Sequence, residues 1–111
     1  MEAVLASELA YVELARAAKN AERSGRIPDA APVLRRVDAD LERSISLVNL
    51  RPATVLPMAR ELVLEHRLGT LDAIHLSVAL EEARRSSVPM VFVTRDRDQA
   101  EAASALGFTI L

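Results

Sequence analysis

Short apolar runs alternate with amphipathic helical segments along this chain, and the alternation limits its fold more than any other feature. Residues 3–6 are short and apolar, which suits a buried strand feeding a helix. Ser7 is a fitting N-cap and Glu8 a fitting first-turn acid for a helix that runs to about Arg23. On that helix Leu9, Val12, Glu13 and Arg16 share one face, so Glu13 is expected on the side that packs inward. Gly25 and Pro28 break the pattern. A second amphipathic helix follows, with Val33 or Leu34, Val37 and Leu41 on its apolar face.

Residues 45–50 are short, begin with a β-branched residue and are bounded by polar residues and Pro52, which predicts a strand. If Thr54 caps the next helix, Pro57 lies in its first turn, where a missing amide hydrogen costs little, and the helix continues to His66 and stops at Gly69. Thr70 is then the cap of a helix from Leu71 to about Arg85, with Ala73, Leu76, Ala79 or Leu80, and Ala83 facing inward and Asp72 in its first turn. The charged residues from Glu81 to Arg85 are expected at an exposed helix end. Residues 88–93 form the clearest strand, a continuous apolar run of the kind found where helices cover both faces. A polar loop (94–98), an Ala-rich helix from about Asp98 to Leu106 ended by Gly107, and a last strand at 108–111 complete the chain. Strands alternating with helices predict an α/β fold with a parallel sheet.

The 111 residues, half of them hydrophobic, suffice for one core, and a single domain over 1–111 is expected. The net charge of −2, from 14 basic and 16 acidic residues, supplies no global positive field, so any contact with nucleic acid must be local. With Tyr11, Phe92 and Phe108 the only aromatics, a surface built on base stacking is excluded as the main binding device. The lack of cysteine removes disulfides, thiolate zinc sites and cysteine nucleophiles, and fits a reducing cytoplasm. Apolar stretches are too short to cross a bilayer, and a soluble, unexported protein without membrane contact is expected.

Chemistry is expected from carboxylates. In open α/β sheets, ligands gather beyond the carboxyl ends of strands, which is where Asp96 falls. Asp72 gains from a helix N-terminus, and Glu13 on an inward face calls for a positive partner such as a divalent cation. Hard Mg²⁺ or Mn²⁺ suits such oxygen donors. Taken singly, each acid has a structural explanation: Asp72 supports a helix start, Asp96 shapes a turn or caps the final helix, and Glu13 pairs with Arg16 or another base.

The contexts of these acids carry more than the acids alone. SELAYVELARA (7–17), GTLDAIHLSVAL (69–80) and PMVFVTRDRDQAEAA (89–103) together resemble the PIN-domain ribonucleases, above all the VapC-type toxins of toxin–antitoxin operons. The resemblance implies a three-layer α/β/α fold around a parallel sheet of order 3-2-1-4-5. It also implies that the first, central strand of that sheet and its aspartate lie before the point where this sequence starts. It assigns Glu13, Asp72 and Asp96 as catalytic and metal-binding residues, with Asp98 a further metal candidate because the Arg-Asp-Arg-Asp run leaves the final acid's position open. Thr94, Arg95 and Arg97 are candidates for contact with RNA, and His75 for packing or support of the site.

What the resemblance implies for function is Mg²⁺- or Mn²⁺-dependent hydrolysis of RNA phosphodiester bonds, with an antitoxin as partner and a homodimer as assembly. Activity is expected to be impaired without the first-strand aspartate. Two rival readings are a non-catalytic PIN module that binds an antitoxin or another protein, and a flavodoxin-like regulatory domain without a converged acid cluster.

Overall fold

The computed structural model describes residues 4–87 and 89–111, so Ala3 and Val88, expected to open two strands, lie outside the described residues. The chain divides into two compact units, 1–48 and 49–111. The first holds β1 (Val4–Ser7), α1 (Ala10–Arg23), α2 (Ala31–Arg43) and β2 (Ile45–Val48). The second holds α3 (Pro52–Glu65), α4 (Thr70–Ser86), β3 (Val91–Phe92), α5 (Arg97–Ala105) and β4 (Thr109–Ile110).

In the first unit β1 and β2 pair in parallel, with Val4 opposite Ile45 and Ser7 opposite Val48. Parallel strands need a crossover, and the two helices provide it. Ser7 ends the strand instead of capping the helix: its Oγ accepts a hydrogen bond from the Leu9 amide at 3.2 Å, and Leu9 becomes the N-cap. α1 ends at Arg23 and is closed by Gly25, whose φ of 78° permits bonds from Gly25 N–H to the Glu22 carbonyl and from Arg26 N–H to the Ala21 carbonyl. The inward face is as expected only in part. Leu9 and Glu13 are half-buried, but Val12 is 66% exposed and Arg16 is exposed, and Ala10, Ala18 and Ala21 are at least half-buried in their place. A turn of 3.6 residues lets neighbouring stripes share residues, and packing selected the alanine-rich one. On α2 the expected Leu34, Val37 and Leu41 are half-buried, as are Ala39 and Asp40. Glu22 bridges the two helices, with Oε2 accepting from the Ala30 amide at 2.8 Å and Oε1 meeting Lys19 Nζ at 2.6 Å.

In the second unit β3 and β4 pair in parallel through Val91–Thr109 and Phe92–Ile110, and the Leu111 amide extends the pairing to the Phe92 carbonyl at 3.1 Å. The helix α5 makes the crossover. It closes at Gly107 (φ 97°), with Gly107 N–H bonded to the Ser104 carbonyl and Phe108 N–H to the Ala103 carbonyl. This turn brings Phe108 against Phe92, with ring centroids 5.6 Å apart. The central core cluster consists of Ala59 and Leu62 of α3, Ala73 and Leu76 of α4, and Ala102 and Ala103 of α5, and Val55, Val78 and Leu80 are buried besides. Small residues on α5 let it approach closely, while Leu68, Ile74, Leu106 and Ile110 close the margins.

Several expected boundaries move. α3 starts at Pro52, with Arg51 as N-cap, so Pro57 lies inside the helix instead of in its first turn. Pro52 suits the first helical position because its missing N–H has no partner to lose there. Gly69 is the N-cap of α4 and Thr70 its first residue, while α3 already ends at Glu65. Leucines and alanines of α4 pack as expected, and Ser77 and Val78 are buried besides, so this helix is covered on more than one side. Glu81 does not belong to an exposed end: it is half-buried, accepts from the Thr54 hydroxyl and stands 3.9 Å from Arg51, which ties α4 to the start of α3. The apolar run before the polar loop is not covered on both faces, since Val91 and Val93 are 55% and 70% exposed while Phe92 is half-buried. Side chains alternate across a strand, and only one side of this one meets the core.

Candidate functional site

Glu13 lies in the first turn of α1 and is half-buried, in the first unit. The other candidate acids lie in the second. Asp72 is the third residue of α4, half-buried, where a carboxylate is favoured by the unpaired amides of the helix start. His75 follows one turn later and is half-buried as well. Asp96 is the N-cap of α5: its Oδ1 accepts from the Gln99 amide at 2.8 Å, while Oδ2 carries no hydrogen bond among the described residues. Asp98, in the first turn of α5, is exposed.

The loop between β3 and α5 is organised by Thr94 and Gln99. Thr94 Oγ1 accepts from the Asp96 amide at 3.0 Å and donates to Gln99 Oε1 at 2.6 Å. Gln99 Nε2 donates in turn to the Asp72 backbone carbonyl at 3.2 Å. One buried amide thus links the loop carrying Asp96 to the first turn carrying Asp72. Sequence reasoning did not single out Gln99. Its signal was the spacing Asp96-x-x-Gln99, the pattern of a capping box, in which the third helical residue reaches back toward the cap's amide. Here the reach is made through the Thr94 hydroxyl, which leaves the amide nitrogen of Gln99 for another helix.

Arg95 and Arg97 are exposed, and Arg97 Nε stands 4.0 Å from Glu101 Oε1 one turn on, a weak solvent-screened pair. A groove of about 260 Å³ opens elsewhere in the second unit, lined by Pro57, Met58, Leu62, Leu80 and Arg84 among others, and none of the candidate acids borders it.

The donor chemistry suits a hard divalent ion, since carboxylates are present and thiolates are not. The grouping is less favourable. Among the described residues no set of three or more His, Asp or Glu is gathered to hold a metal ion. Among the same residues, no helix is long and apolar enough to cross a membrane. The pair of segments joined by Gln99 is therefore the most defined part of the candidate site: an acid at the start of one helix, an acid at the cap of another, and a neutral clamp between them.

A family model described as PIN domain matches residues 1–105. No curated protein matches the chain.

Proposed function

The chain belongs to the PIN-domain family, and from that premise we propose that it is an endoribonuclease of the VapC toxin type, hydrolysing RNA phosphodiester bonds with Mg²⁺ or Mn²⁺. PIN domains are generally nucleases and generally use divalent metal ions, so nuclease function and an α/β fold with short parallel strands follow from membership. The finer reading has its main support in the tie between the Asp72 helix start and the Asp96 loop, because that couples two of the three segments carrying the VapC resemblance. Family membership extends over both compact units, which supports treating 1–111 as one domain.

In this reading Glu13, Asp72 and Asp96 are the ion-binding and catalytic acids and Asp98 an auxiliary one. Arg95 and Arg97, exposed on the loop and at the start of α5, meet the RNA backbone, and Thr94 shapes the loop that presents them. The bound ion would supply charge neutralisation at the phosphate. The partners are an RNA substrate, a cognate antitoxin and a second copy of the chain, in the cytoplasm.

A second reading, a non-catalytic module that holds an antitoxin, is favoured by one observation: Asp96 already has a structural task as a helix cap. The two readings separate in one assay. Purified protein is incubated with a mixed RNA pool and Mn²⁺, beside Asp72→Asn and EDTA controls. Cleavage abolished by both controls is the expected result, and an intact pool with the unaltered protein would leave the binding module standing.

A further inference from the structure

Gln99 is 8% exposed, and each end of its side-chain amide has a partner in a different segment. Capping alone does not account for this. The cap of α5 is complete with Asp96 Oδ1 on the Gln99 amide, and the loop turn is complete with Thr94 Oγ1 on the Asp96 amide. The remaining bond, from Gln99 Nε2 to the Asp72 carbonyl, spans 27 residues of sequence and joins α5 to the first turn of α4. A side chain that must accept from a hydroxyl at one end and donate to a carbonyl at the other, while buried, is well met by a neutral amide, which carries an acceptor oxygen and a donor nitrogen side by side. Glutamate would present an oxygen to the Asp72 carbonyl, and methionine would satisfy neither partner.

We propose that Gln99 is a positioning residue of the nuclease site: its amide fixes the Asp96 loop against the first turn of α4 and so sets where the Asp72 carboxylate stands relative to that of Asp96. The role rests on the nuclease reading above. It follows from geometry, since an acid three residues into a helix moves with the helix start, and the backbone held is that of Asp72 itself. Supporting bonds of this kind tune a site by about 10-fold to 100-fold, and a misplacement of about 1 Å is enough to do it.

The test uses the full chain as unaltered protein, Gln99→Met and Gln99→Glu, with RNA cleavage measured in Mn²⁺ buffer, cooperative unfolding in urea, and the backbone amide signals of residues 71–73 by NMR. Both variants are expected to unfold cooperatively, to lose about 10-fold to 100-fold in kcat with KM changed by less than about 3-fold, and to shift the signals of the α4 first turn. Gln99→Glu keeps the acceptor for Thr94 and carries the test should Gln99→Met fail to fold. Wild-type kcat in Gln99→Glu would overturn the proposal, since capping would then be all that Gln99 does. Active unaltered protein with two indifferent variants removes the Gln99 role alone, whereas inactive unaltered protein removes the nuclease reading and the role together.

Discussion

The two units use similar numbers of helices and the same two-stranded parallel pairing, yet they bury very different side chains. In the first, the buried hydrophobic residues among those described are Ala18 and Ala30, and the larger apolar groups Val4, Leu5, Val12 and Val33 are exposed. In the second, Val55, Leu62, Leu76, Val78 and Leu80 are buried together with four alanines. Burial of a leucine or valine side chain contributes about 1.5–3 kcal/mol, and an alanine much less. The lesson is that equal secondary structure does not mean equal cohesion. The second unit is held by an apolar core around α4, while the first relies more on backbone pairing and on polar ties such as Glu22.

The largest expected effect comes from emptying the better core. Leu76→Ala, at a residue with no exposure, should cost about 3 kcal/mol in urea unfolding. Val37→Ala, at a half-buried site on α2, should cost about 1 kcal/mol. Equal losses at the two positions would break the contrast between the units.

A smaller effect separates structure from chemistry within the second unit. Asp96→Ala removes the cap of α5 and should lower stability by about 1 kcal/mol, whereas Asp96→Asn caps nearly as well and should leave the unfolding midpoint close to that of the unaltered protein. The same Asn variant should lose RNA cleavage if Asp96 is a catalytic acid. Retained cleavage would assign Asp96 to structure alone.

The smallest effect belongs to the first unit. Hydrogen bonding from Lys19 and from the Ala30 amide holds the Glu22 carboxyl below its ordinary range. A depressed folded-state pKa stabilises the fold above the unfolded value and ceases to do so as pH falls through the folded one. Unfolding measured from neutral pH downward should therefore show a loss on the acid side that Glu22→Gln diminishes. An unchanged acid limb in that variant would mean that Glu22 is not a tie between α1 and α2.

Much of the path of the chain could be read from residues close in sequence. The strand expected at 45–50 and found at 45–48, the helix placing Asp72 in its first turn, and the short helix closed by Gly107 each rest on local signals: β-branching, inward periodicity, or a glycine able to take positive φ. Boundaries slipped where two residues could do the same task. Thr54 and Arg51 compete to start α3, Gly69 and Thr70 to start α4, and Asp96 and Asp98 to start α5, and a local pattern does not rank them. The face of α1 is legible only in part for a related reason: Leu9 and Glu13 face inward as their spacing predicts, but Val12 and Ala10 both lie on helical stripes and only packing chooses one.

What the sequence determined by itself was the alternation of strands and helices, the family, and the acids at 13, 72 and 96 as the residues to test, since all of these depend on short-range pattern and residue type. What only the tertiary structure decided was which side chains meet across the fold: that Glu81 closes on the start of α3, and that Gln99 reaches the Asp72 carbonyl 27 residues away. Those contacts form between segments distant along the chain, and their geometry exists only after the backbone has brought the segments together.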